Sequence, residues 1–224
     1  MFIHKLVDKH DCDFITRSML ADEASLDKER KGTSTPDSEK PGDYGIDADK
    51  TSKVTNSKAL HEIGMKILPE VEKIAFRCLH PTYVYARLYR PGFILPKHRD
   101  RPSCEHSLTV TLGYGDRDKV WPFYALPHPS STKDERIYSD LEIGDAWYYK
   151  GAYSPHGREM LTEGWQVQAF FHYIEMNGEI YEKAIEEGYD MSIPWTDPMR
   201  IIWARLPSEN SRGILKAVEE INKD

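Results

Sequence analysis

Apolar positions along the chain change period twice. Phe2, Leu6, Phe14, Ile15, Met19 and Leu20 recur irregularly near the start and predict a helix over 12–26. From 27 to 58 apolar residues thin out. The run KERKGTSTPDSEKPGDYG predicts an exposed polar loop, either a passive linker or a mobile flap over a site. In KALHEIGMKILPEVEKIAFRCL, residues 58–79, helical spacing returns. Leu60, Ile63, Ile67, Leu68, Val71, Ile74, Ala75 and Leu79 form one stripe, interrupted by Pro69, which predicts a supporting helix that is kinked or divided there.

Past Leu79 the period becomes two. TYVYARLY alternates and is rich in aromatic and β-branched residues, and Arg90-Pro91-Gly92 punctuates it. FILPKHRD, SLTVTLGY, VWPFYAL, RIYSD, AWYYK and WQVQAFFHYIEM follow as further short strands separated by turns. In the last of these, Gln166, Gln168, Phe170 and His172 fall on one face. Many short strands with turn signals predict an antiparallel sandwich or jelly roll. Residues 179–224 are mixed and partly helical, with Ser208 or Asn210 as candidate caps of a final helix, and read as an extension rather than a second domain. A chain of 224 residues fits one domain, 1–224, with a core over roughly 50–178.

Composition narrows the functional classes. Hydrophobic residues make up 39% and charged residues 30%, enough for one sizeable core under a solvated surface. No apolar run reaches transmembrane length and the first residues lack the apolar block of a signal peptide, so a cytoplasmic protein is expected. A formal charge of −7 gives no global basic footprint and argues against a nucleic-acid partner. Cys12, Cys78 and Cys104 are widely spaced, without a CxxC pair, which argues against a cysteine-based zinc site.

Candidate chemistry centres on His98 and Asp100. On an extended strand, residues two apart share a face, so an imidazole and a carboxylate can converge. His156, in SPHGRE, is a candidate third partner. Two histidines and one carboxylate on one face suit an iron centre with open positions. The plain alternative is a solvated loop, since Lys97, Arg99 and Arg101 flank the pair.

Taken together, YARLYRPGFILPKHRDRPSCEHSLTVTLG, LEIGDAWYYKG, SPHGRE and QVQAFFHYIEMNG resemble the 2-oxoglutarate/Fe(II)-dependent oxygenases, in particular their prolyl-4-hydroxylase-like branch. The resemblance implies a mainly β fold with supporting helices, a double-stranded β-helix or jelly roll. It implies Fe(II) held by His98, Asp100 and His156, and 2-oxoglutarate as cosubstrate, with ascorbate a further candidate. It implies a dioxygenase that decarboxylates 2-oxoglutarate to succinate and hydroxylates a peptide, prolyl residues included, or a small molecule. In this family a Lys or Arg usually receives the distal carboxylate of 2-oxoglutarate about where Gln166 stands. That departure leaves three candidates for the carboxylate: Arg158, two residues past His156, Tyr89, and Gln166 itself. It also keeps open a metal-binding, cupin-like jelly roll, a sensor or isomerase without oxygenase turnover.

Overall fold

We describe the chain from a computed structural model, which covers residues 1–30, 52–55, 57–127 and 135–195. Two antiparallel sheets face each other. The first strand, β1 (Phe2–Ile3), leads into α1 (Lys9–Arg30). Strand β2 (Ser52–Thr55), helix α2 (Lys58–Ala75) and strand β3 (Leu79–Tyr89) follow. Then come β4 (Leu95–His98), a 3-10 turn at Pro102–Cys104, and β5 (His106–Gly115). The remaining strands are β6 (Phe123–Ala125), β7 (Ile137–Ser139), β8 (Ala146–Tyr149), β9 (His156–Arg158) and β10 (Trp165–Glu175). Helix α3 (Glu179–Glu186) closes the described order. The six-stranded sheet runs β1-β8-β5-β10-β3-β2 and the four-stranded sheet β4-β9-β6-β7, the jelly roll that the strand pattern predicts.

Alternation on the large sheet decides what goes where. Its outer face is apolar: Val84, Ala86 and Leu88 on β3, Leu108, Val110 and Leu112 on β5, and Val167, Ala169, Phe171 and Tyr173 on β10. Val7, Cys12, Ile15 and Met19 from the α1 region, and Leu60, Ile63, Ile67 and Val71 from α2, cover that face. Each aliphatic side chain so buried contributes about 1.5–3 kcal/mol. The inner face carries the other parity. Tyr83, Tyr85, Arg87 and Tyr89 stand opposite His172, Phe170, Gln168 and Gln166 in β3–β10 register. Ser107, Thr109 and Thr111 stand opposite His172, Phe170 and Gln168 on the β5 side. One face therefore builds the core and the other lines a polar, aromatic interior.

Several expectations change. Phe2 is in a strand paired with Trp147 rather than in a helix, and Phe14 is exposed on α1. The helix starts earlier than expected because the Asp8 carboxylate caps it, accepting from the Asp11 amide at 2.9 Å. The expected loop over 27–58 is narrower: 27–30 continue α1, 52–55 pair with β3, and α2 begins at Lys58. Residues 31–51 lie outside the described residues, as do Ser208 and Asn210. Pro69 neither divides nor ends α2, which runs to Ala75 and stops at Phe76 in a left-handed conformation. The segment after β10 is folded against the sheet as far as it is described. Ala184 and Met191 pack on Ile174, and the Trp195 amide donates to the Pro81 carbonyl at 2.8 Å. Among the described residues no helix is long and apolar enough to cross a membrane.

Candidate metal centre

His98 ends β4 and His156 begins β9, and the two are direct cross-strand partners. They are neighbours within the small sheet, not residues facing each other across the barrel. Their rings lie 4.4 Å apart, centroid to centroid. Asp100 stands just past the end of β4, where its amide donates to the Gly151 carbonyl at 2.9 Å. Its carboxylate reaches both rings: His98 Nε2 is 3.4 Å from Oδ1 and His156 Nε2 is 3.5 Å from Oδ2. Gly151 has to be glycine, because a Cβ there would stand 2.4 Å from Asp100 Oδ2. Gly157 is under the same constraint, with the Leu95 carbonyl 2.5 Å from where a Cβ would be. It lets β9 pack closely against β4 and β6.

The hydrogen bonds fix what the imidazoles offer. His98 Nδ1 lies 2.8 Å from the Pro96 carbonyl and His156 Nδ1 lies 2.8 Å from the Ser154 carbonyl. A carbonyl only accepts, so each Nδ1 carries a proton and each ring turns its Nε2 toward Asp100. Asp100 Oδ2 is buried without a hydrogen-bond partner. Burial pushes His156 down to about 4 against the pull of Asp100. Burial works to raise the Asp100 carboxyl, but the neighbouring histidines outweigh it and hold the group well below the usual carboxylate range. At neutral pH Asp100 is therefore a carboxylate and His156 a neutral imidazole, the protonation states that binding a cation requires. Donor atoms around a six-coordinate ion at about 2.1 Å stand about 3 Å apart, close to the spacing here. The residues fit a metal ion.

Arg158 shares the inward face of β9 with His156 and is 1% exposed. Its guanidinium stacks on Trp121 at 5.0 Å and Phe123 at 5.6 Å, and Nη1 donates to the Trp121 carbonyl. Nε and Nη2 are buried without a hydrogen-bond partner. Burial lowers its pKa to about 10, so it stays charged at neutral pH. Glu159 pairs with Arg136, and Asp145 with His4 and Lys5, so neither neutralises Arg158. Tyr89 is buried against Phe93 and Trp121, at 4.4 and 5.2 Å, on the wall of the same chamber.

Gln166 is already committed. Its Oε1 accepts from the Trp121 amide at 2.7 Å, and its Nε2 donates to Gln168 Oε1 at 3.0 Å and to the Trp121 carbonyl. Thr111 donates to that same Gln168 oxygen at 3.1 Å and is a packing residue. Glu105 accepts from the Glu175 amide at 2.9 Å. The sequence reading missed Trp121 and Phe123, which lie against Arg158, and Phe93, which packs on Trp121; Tyr149, a candidate barrel-lining aromatic in the sequence, has its ring 4.5 Å from His156. Aromatics in alternating strands give no local signal of which cation they enclose. His172 was seen only as a face-mate of Gln166, yet it lies within ligand reach of Asp100.

No family model matches the chain, and no curated protein matches it significantly. Solved structures do. A viral collagen prolyl hydroxylase from Paramecium Bursaria Chlorella virus-1, in complex with 2-oxoglutarate, is 12% identical and superposes with a TM-score of 0.51, covering 79% of this chain and 95% of that one. HygX from Streptomyces hygroscopicus, with nickel and 2-oxoglutarate bound, is 13% identical with a TM-score of 0.52, covering 79% and 82%. The α-ketoglutarate-dependent carbocyclase SnoK from nogalamycin biosynthesis is 10% identical with a TM-score of 0.55, covering 78% and 79%. The fold is that of the 2-oxoglutarate/Fe(II) oxygenases. On this oxygenase fold, the small sheet brings His98, Asp100 and His156 together and the large sheet supplies the polar interior beside them. The matched oxygenases differ in outcome, one a prolyl hydroxylase and another a carbocyclase, so the shared architecture leaves the reaction open.

Proposed function

We propose that this chain is an Fe(II)/2-oxoglutarate-dependent dioxygenase that hydroxylates a peptide or small-molecule substrate, prolyl peptides among the candidates. The observation that carries the reading is the pairing, along one face of β9, of the His98–Asp100–His156 cluster with a buried cation, Arg158, two residues from His156. His98, Asp100 and His156 would hold Fe(II), leaving positions for a chelating keto acid and for oxygen. Bound there with 2-oxoglutarate, iron supplies the oxidising chemistry, coupled to decarboxylation of the keto acid to succinate.

The protein's own residues do the rest. The carbonyls of Pro96 and Ser154 lock both imidazoles in the ligand tautomer, which spares the site reorganisation when the metal arrives. Arg158 offers Nε and Nη2, two parallel N–H groups, to the distal carboxylate of 2-oxoglutarate. Tyr89 stands on the same chamber wall as a second donor. Gln166 holds Trp121 in place and so positions the aromatic surface under the guanidinium. Phe93, Trp121 and Phe123 keep water from the bound carboxylate, which strengthens its pairing with Arg158. The buried cation of Arg158 accounts for the departure at Gln166 and favours turnover over a cupin-like sensor.

The test is anaerobic loading with Fe(II), then oxygen and 2-oxoglutarate, following succinate with and without candidate peptides. Succinate that depends on iron and on 2-oxoglutarate supports the reading. None under any condition, from folded and iron-loaded protein, refutes it.

A further inference from the structure

A second ligand set adjoins the first. An Asp100 carboxylate oxygen, Cys104 Sγ and a His172 ring nitrogen lie within 4.8 Å of one another. Cys104 ends the 3-10 turn that follows Asp100, and His172 is on the inner face of β10. Thr82 ties the two together, its Oγ1 lying 2.8 Å from the Ser103 carbonyl and 3.0 Å from the His172 carbonyl, which share its one hydroxyl proton.

The tautomer of His172 follows from its neighbours. Ser107 Oγ lies 3.1 Å from the Cys104 carbonyl and 2.9 Å from His172 Nδ1. The carbonyl can only accept, so the single hydroxyl proton goes there, and both contacts are hydrogen bonds only if Nδ1–H donates to Oγ. Nε2 is then a bare lone pair. It is buried without a partner, in a side chain whose residue is 2% exposed. Asp100 Oδ2 is a second buried acceptor without a partner. Two unsatisfied acceptors beside a sulfur make an electron-rich cluster that a cation would satisfy. Tyr83 O–H stands 2.9 Å from Cys104 Sγ and would donate to a thiolate there. Its ring stacks on His172 at 4.3 Å and so sets that imidazole's orientation.

We propose that Asp100, Cys104 and His172 form a second cation position, sharing Asp100 with the first, that takes a thiophilic divalent ion of the zinc and cobalt class. Sulfur and imidazole together select such ions over magnesium or calcium. Asp100 is common to the two positions. Filling the second draws on the same carboxylate and weakens Fe(II) binding at the first. The inference goes beyond the oxygenase reading and does not depend on turnover.

Cobalt(II) titration of the full-length apo protein, without oxygen, tests it, because a cobalt–thiolate bond gives a charge-transfer band that nitrogen and oxygen ligands do not. The wild-type protein should show that band. Cys104→Ser should lack it and retain the binding at His98 and His156. His172→Ala should weaken the band-forming equivalent by at least about a hundredfold, and Tyr83→Phe, which removes a supporting hydrogen bond, by about 10–100-fold. His156→Ala should keep the band while losing the other equivalent, which separates this site from the first. No thiolate band in the wild-type protein overturns the proposal. So does a band that survives in Cys104→Ser, which would belong to Cys12 or Cys78. Should Cys104→Ser fail to fold by circular dichroism, an undiminished band in His172→Ala overturns it equally.

Discussion

The two ends of β9 treat charge in opposite ways. At its start, His156 joins His98 around the Asp100 carboxylate, whose Oδ2 is buried without a hydrogen-bond partner. At its end, two residues later, Arg158 is a buried cation with donors to spare and aromatic faces on either side. Each end is unsatisfied alone, and burial makes that costly. A cation at one and a carboxylate at the other would complete both. A short strand thus presents groups of opposite chemistry one side-chain repeat apart.

The comparison breaks most completely at the acceptor end. His98→Ala or His156→Ala should abolish tight Fe(II) binding, read by metal content after gel filtration, while the fold persists by circular dichroism. Normal iron stoichiometry in either folded variant would remove the metal assignment.

Acid should also separate the two ends. Burial holds His156 at about 4 and His172 at about 3, both below an ordinary histidine. The unfolded chain therefore binds more protons than the native one between about pH 6.5 and pH 3–4, so native stability falls as pH drops through that window. Each buried histidine with a shift of this size contributes on the order of several kcal/mol to that loss. Arg158 stays protonated throughout. Denaturant titrations of metal-free protein at pH 7.5 and pH 5 should show the loss, and equal midpoints would contradict it.

At the cation end the effects are smaller. Arg158→Ala should weaken 2-oxoglutarate by about tenfold to a hundredfold, or about 1.5–3 kcal/mol, with metal affinity near normal, by calorimetry with Mn(II). Gln166→Ala should cost about 1–3 kcal/mol of stability, since it strands the buried Trp121 amide. If Gln166 instead holds the carboxylate, Gln166→Lys preserves or tightens 2-oxoglutarate binding, whereas on the present geometry it crowds a second cation beside Arg158. Tyr89→Phe, which removes one neutral donor, should cost about 0.5–1.5 kcal/mol in 2-oxoglutarate binding.

Much of the fold was legible because the alternation is strict. The outward set on β3, β5 and β10 is aliphatic, and that period announces a half-covered sheet. The convergence of His98, Asp100 and His156 was also foreshadowed, since HRD at a strand end and a downstream His at a strand start are local signals. Other features were not local. Phe2–Ile3 reads as any apolar pair, and only its partner β8 makes it a strand. Pro69 looked like a break, yet α2 runs through it, held by Ile67 and Val71 on the sheet. Cys104 and His172 are 68 positions apart in sequence, and only the β10 register and the 3-10 turn bring them to one carboxylate.

The cross-strand pairing of His98 with His156 also limits how this scaffold can be re-engineered. Insertions in the turn after Arg158 would lengthen a connection and leave the parity of β9 untouched. One residue inserted between His156 and Arg158 would rotate the arginine to the opposite side of the strand, and the chamber would lose its cation without losing a single amino acid. At His156, Gly157 and Arg158 the length of the strand is therefore as constrained as the identity of its residues.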